Sequence, residues 1–159
     1  MKFLLTAINA KFIHSNPAIY SLRAGVGEKL QPYVELAEFT INESLESILE
    51  GIWKRQPKVI GFSCYIWNWK LIREILTELP KILPDTEIWL GGPEVTYDGP
   101  GLLSEFPQVT GIMVGEGEVT FREVLDHYVR EAESTGQSEQ QPEPDSIEQQ
   151  AADRTGTVA

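Results

Sequence analysis

The stretch Lys58–Gly92, KVIGFSCYIWNWKLIREILTELPKILPDTEIWLGG, decides the fold. It opens on a short apolar run, Lys58 to Ser63, that reads as a buried strand. From Trp67 to Leu79 the pattern is helical, and Pro80 and Pro84 bracket the end of that helix. Glu87 to Gly91 is a second short apolar run. Strand, helix, strand in this order pairs in parallel through a right-handed crossover.

The same alternation continues on both sides. Upstream, Lys2 to Ile8 reads as a strand and Asn16 to Leu30 as a helix. Asn16 is placed to cap that helix and Pro17 to open it. Val34 to Ile41 is a further strand, and Glu43 to Arg55 a helix with Leu45, Ile48, Leu49 and Ile52 on one face. Downstream come a short helix near Gly101–Phe106, a strand at Gly111–Val114 and a helix from Glu118 to about Ala132. Five such units predict an α/β, doubly wound, parallel five-stranded sheet of Rossmann-like kind, in the flavodoxin-like order 2-1-3-4-5. From Ser134 onward Gln, Glu, Ser and Pro dominate, so an acidic, disordered tail is expected.

Composition bounds the function. The 159 residues carry a net charge of −11, with 42% hydrophobic and 23% charged residues, an ordinary globular balance. Neither the folded part nor the acidic tail offers a basic footprint, so nucleic acid is not an expected partner. No apolar run is long enough for a membrane span and the N-terminal one is too short for a signal peptide, so a cytoplasmic location is the default. The single cysteine, Cys64, cannot by itself hold a zinc ion or an iron–sulfur cluster.

Ligands of open parallel sheets bind beyond the carboxyl ends of the strands. Strand one is followed by Asn9, Lys11 and His14; strand three by Ser63, Cys64, Tyr65, Trp67 and Asn68. Strand four runs into Gly91-Gly92-Pro93-Glu94, and strand five into Gly115-Glu116-Gly117-Glu118. Glycines there permit tight turns or close approach of a flat ligand to the backbone. No G-x-G-x-x-G follows strand one and no Walker A loop is present, which disfavours a nucleotide in its usual place. Asn9 and Ser63 stand where a phospho-accepting receiver domain needs acidic residues.

These four segments, in this order and each at a strand end, resemble the N-terminal cobalamin-binding domain of cobalamin-dependent radical SAM proteins. The likeness covers residues 1 to about 131. It implies that cobalamin lies with one face of its corrin ring against the strand ends. Asn9, Lys11, His14, Ser63, Tyr65, Trp67, Asn68, Gly91, Gly92, Pro93, Glu94, Gly115, Glu116, Gly117 and Glu118 are then the cofactor-binding candidates. It further implies that residues 132–159 are a linker toward a C-terminal radical SAM barrel, which would bind S-adenosylmethionine and a 4Fe-4S cluster. That barrel needs a C-x-x-x-C-x-x-C motif, and this chain has Cys64 alone. The chain is thus expected to be an N-terminal fragment of an enzyme, with methyl transfer or related radical chemistry residing elsewhere. The D-x-H-x-x-G motif whose histidine ligates cobalt in many cobalamin proteins of this fold is absent, since Phe12 precedes His14 where Asp is required.

Plainer readings stand beside each assignment. His14, in the right loop to be an axial ligand of cobalt, can instead shape its loop or simply be exposed. Glu116 and Glu118 suit the positive end of a helix dipole. Cys64 suits a small packing position. Trp67 and Trp69, two residues apart, cannot share a helix face, so one packs inward and the other is free to face a ligand or partner. The alternative function is an interaction domain that keeps the fold without the cofactor. A stand-alone enzyme ranks below both, because no nucleophile–base pair is assembled. The cobalamin reading requires the segments around Ser63, Gly92 and Gly115 to end side by side on a shelf free of bulky side chains.

Overall fold

The computed structural model describes residues 1–11 and 16–139. Its strands are β1 (Phe3–Asn9), β2 (Val34–Thr40), β3 (Val59–Ser63), β4 (Glu87–Gly91) and β5 (Val109–Met113). The helices between and after them are α1 (Pro17–Gly25), α2 (Leu45–Arg55), α3 (Trp69–Ile82), α4 (Gly99–Glu105) and α5 (Gly117–Glu139). All strand pairs are parallel, in the order β2-β1-β3-β4-β5. This is the doubly wound order the alternation predicts.

Alternate residues of each strand feed two separate cores. Leu4, Ile8, Ile60, Phe62, Ile88 and Leu90 pack with Ile48, Ile52, Ile72, Ile75, Leu76 and Leu79 of α2 and α3. Phe3, Leu5, Ala7, Val59 and Met113 pack with Ile19 of α1 and Phe121, Leu125, Tyr128 and Val129 of α5. Burial on both faces explains why the strands read as continuous apolar runs rather than alternating ones.

Several boundaries differ from the sequence expectation for identifiable reasons. Helix α1 is capped as expected, with Asn16 Oδ1 accepting from Ala18 N at 2.9 Å, but it ends at Gly25 instead of Leu30. Gly27, at φ +81°, turns the chain there. Helix α3 starts at Trp69, because residues 65–68 form a turn in which Tyr65 O accepts from Asn68 N and Trp69 N. It also continues through Pro80 to Ile82. Proline removes the hydrogen bond to the carbonyl four residues back. That carbonyl, Leu76 O, instead accepts from Gln108 Nε2 at 2.7 Å. Helix α5 runs beyond Ala132 to Glu139. The rest of the predicted tail, 140–159, lies outside the described residues. No described helix is long and apolar enough to cross a membrane.

One buried group in β1 is unsatisfied: the Thr6 hydroxyl is fully buried and has no hydrogen-bond partner. Leaving such a group unpaired costs about 1–3 kcal/mol. Thr6→Val keeps the shape and removes the hydroxyl. It is expected to raise the thermal unfolding midpoint by about 2–4 °C, measured by calorimetry.

Candidate functional site

The carboxyl ends of β1, β3 and β4 are joined by two local devices. The first is Asn68, which is fully buried. Its Nδ2 donates to Ile8 O and Ser63 O, both at 3.0 Å, and its Oδ1 accepts from Tyr65 N at 2.9 Å. The side chain is therefore consumed within the protein. It shapes the edge of the sheet, and it does not face a ligand as the sequence reading proposed.

The second device is Gly92, at φ +102°. A Cβ there would lie 2.5 Å from Cys64 O and 2.9 Å from Cys64 N. Only glycine allows this approach, and it lets the β3–β4 ladder continue past the strands through Cys64 N→Gly91 O at 2.7 Å. The vacancy at Gly92 thus accommodates the neighbouring backbone. Gly115, at φ +81°, is different: nothing lies within 4 Å of the side chain it lacks.

With the ends aligned, Ser63, Gly91, Gly92 and Gly115 come together around one cavity of about 110 Å³. It descends on the α1/α5 side of the sheet. Leu5, Ala18, Ile19, Leu22, Gly61, Trp89, Leu90 and Met113 line it, with Tyr65, Gly117 and Glu118 among the other lining residues. Polar groups belong to the rim. Ser63 Oγ accepts from Asn16 Nδ2 at 3.4 Å, and Glu118 Oε1 accepts from Ser21 Oγ at 3.3 Å. Of the sequence candidates, Asn9, Lys11, Trp67, Asn68, Pro93, Glu94 and Glu116 do not line the cavity. Trp67 is 48% exposed and stacks on Tyr65, with ring centroids 4.4 Å apart and planes 8° from parallel. Trp69 turns the other way and packs edge-on against Phe106. Cys64 is fully buried, and burial pushes its thiol up to about 12, which keeps it protonated and unreactive.

The loop after β1 is held at both ends by one carboxylate. Glu38, near the end of β2, accepts from Asn9 Nδ2 (3.1 Å), Asn16 N (3.0 Å) and Tyr20 OH (2.8 Å). Burial raises the Glu38 pKa, but these three hydrogen bonds outweigh it and hold the carboxyl below its ordinary value. His14 falls between Asn9 and Asn16 in the sequence and lies outside the described residues. Lys11 is exposed. Sequence reasoning missed Glu38, Asn16's second bond to Ser63, and the wall formed by buried Gly61 and partly buried Trp89. Only Gly61, a glycine inside a strand run, carried a signal.

An open parallel sheet with a mostly apolar cavity at its carboxyl edge defines a small-molecule-binding domain of Rossmann-like kind. The B12 binding domain family matches residues 4–125, and the chain belongs to that family. The cobalamin-dependent radical SAM methyltransferase TokK of Streptomyces tokunonensis is 37% identical over 71 residues, 44% of this chain and 10% of that protein. The 2-(S-pantetheinyl)-carbapenam-3-carboxylate methyltransferase of Streptantibioticus cattleyicolor is 36% identical over 84 residues, 52% of this chain and 12% of that protein. The matched part thus spans about a tenth of these relatives' length. Among solved structures, the cobalamin-dependent S-adenosylmethionine radical enzyme OxsB with aqua-cobalamin and S-adenosylmethionine bound superposes with a TM-score of 0.65. It is 18% identical, and the superposition covers 80% of this chain and 19% of that one.

Two outcomes follow. Asn68→Ala orphans the Ile8 and Ser63 carbonyls and should destabilise the fold by roughly 2–4 kcal/mol in urea unfolding. Glu38→Gln tests the clasp by pH. A carboxyl held low in the folded state favours folding above its unfolded value, and that contribution fades as pH falls through the folded value. The unfolding midpoint of the unaltered chain should therefore drop more steeply on acidification below about pH 4.5 than that of Glu38→Gln.

Proposed function

We propose that the domain is the cobalamin-binding module of a radical SAM enzyme of methyltransferase type. The observation that carries this reading is the cavity between α1 and the ends of β3, β4 and β5, open at its mouth beside the glycine-lined shelf. A corrinoid combines a broad disc carrying amide arms with a nucleotide tail that ends in an apolar aromatic base. The strand-end glycines match the disc, and the cavity matches the base. Family membership and two relatives, one named a cobalamin-dependent radical SAM methyltransferase and the other a carbapenam-carboxylate methyltransferase, point the same way.

In this reading Gly91 and Gly115 bring backbone to the edge of the ring. The Tyr65–Trp67 stack covers apolar surface and excludes water from it. Ser63 and the exposed carboxylates Glu94 and Glu116 offer acceptors to the amide arms. Leu5, Ile19, Leu22 and Met113 enclose the base. The bound corrinoid supplies the cobalt-centred methyl-transfer chemistry, and the protein supplies orientation and a shielded face. A C-terminal radical SAM barrel is the partner in this proposal, and it would hold S-adenosylmethionine and the 4Fe-4S cluster. A cytoplasmic setting belongs to the same proposal.

The test is direct. The 159-residue chain mixed with hydroxocobalamin should keep corrin absorbance through gel filtration. Ala18→Trp, which places an indole in the cavity mouth, should weaken binding at least tenfold, or about 1.4 kcal/mol. A colourless protein peak at near-millimolar cobalamin would instead favour the interaction-domain reading.

A further inference from the structure

The row of residues across the sheet at cavity depth is Leu5, Gly61, Trp89 and Gly111, each in register with the next. It lies two residues below the mouth row of Ser63, Gly91 and Met113, about 7 Å down at strand rise. Below it the sheet is closed by Phe3 and Val59, both fully buried. The Trp89 row is therefore the cavity floor.

The indole has two possible neighbours in that row, and both are glycine. It lies over Gly111: a Cβ there would meet the ring at 2.6, 2.8 and 3.0 Å. At Gly61 the nearest atoms to a Cβ would be Leu5 Cδ2 and Phe3 Cε1, both at 3.3 Å, and not the indole. The ring is held in this position from α5. Trp89 Nε1 donates to Tyr128 OH at 3.0 Å, and Tyr128 OH donates to Glu87. Burial, followed by the Glu87 bond, pushes the Tyr128 hydroxyl up to about 12, so it keeps its proton at neutral pH. A displaced register between Ile88 and Trp89, where β5 gains a residue at Thr110, is what sets Gly111 opposite Trp89.

Two consequences follow. The floor above Gly61 is open because the indole is parked on Gly111. The indole's one donor is also spent on Tyr128, and its row contributes no other polar side chain. A purine base seated there would bury an amine and several ring nitrogens without side-chain partners in this row, whereas a benzimidazole would bury only the single ring nitrogen released from cobalt.

We infer that Trp89, parked over Gly111 and latched by Tyr128 and Glu87, is the specificity-determining wall of the lower-base cavity, selecting corrinoids with an apolar bicyclic base over those with a purine. The inference rests on the cobalamin reading above.

The experiment measures dissociation constants of the full 159-residue chain for three corrinoids by corrin absorbance titration. These are hydroxocobalamin, the analogue whose lower base is adenine, and cobinamide, which has no base. The unaltered chain should bind hydroxocobalamin at least tenfold more tightly than either of the others. Gly111→Val drives the indole over Gly61, so cobalamin affinity should fall at least tenfold, to the level of cobinamide. Cobinamide affinity should stay within twofold, which also reports that the variant is folded. If the valine variant does not fold, Gly111→Ala should show the same selective loss at roughly threefold. Equal weakening of cobalamin and cobinamide, no weakening of cobalamin, or equal binding of the two bases by the unaltered chain would each overturn the inference. Failure of the unaltered chain to bind any of the three would instead sink the cobalamin reading, and this inference with it.

Discussion

One buried amide fixes the geometry on which the site depends. Asn68 spends its donors on Ile8 O and Ser63 O and its acceptor on Tyr65 N, at 2.9–3.0 Å. Without it, the ends of β1 and β3 would present unpaired carbonyls at the place where the sheet must stop cleanly. The Cys64–Gly91 bond then carries the alignment to β4, and only a glycine at 92 tolerates the closeness it requires. Every loop that could touch a ligand departs from this aligned edge. The position of the shelf is thus a backbone property, enforced by one polar side chain and one missing side chain.

The cavity is a space that side chains of ordinary size could have filled. Five of its lining residues are glycine, and the one large aromatic at its floor is turned aside onto a sixth. A core selected for stability alone would place side chains here. A ligand seated there would gain buried contacts, and its binding would couple to folding stability.

The alternation of strands and helices, the sheet order and the positions of the site loops were legible because each rests on a local signal. Apolar runs, helical spacing, Asn16-Pro17 and the paired glycines all act within a few residues. What could not be read depends on partners distant in sequence. Pro80 looked like a stop, and Gln108 lets the helix pass it. Asn68 looked like a ligand-facing polar group, and the carbonyl of Ile8, sixty residues earlier, claims it. Gly92 was read as room for a ligand, and Cys64 occupies that room. Glu38 carried no motif, yet it clasps both ends of the loop after β1. Trp89 read as an ordinary strand residue, and only its register with Gly61 and Gly111 shows that it shapes a cavity.

The central claim is that the space between α1 and the sheet seats the lower base of a corrinoid. A crystal structure of the chain grown with hydroxocobalamin tests it most directly. The account predicts the base detached from cobalt and inserted beside Leu5, Gly61 and Trp89. A base still coordinated to cobalt outside the protein, with that space unfilled, would contradict it.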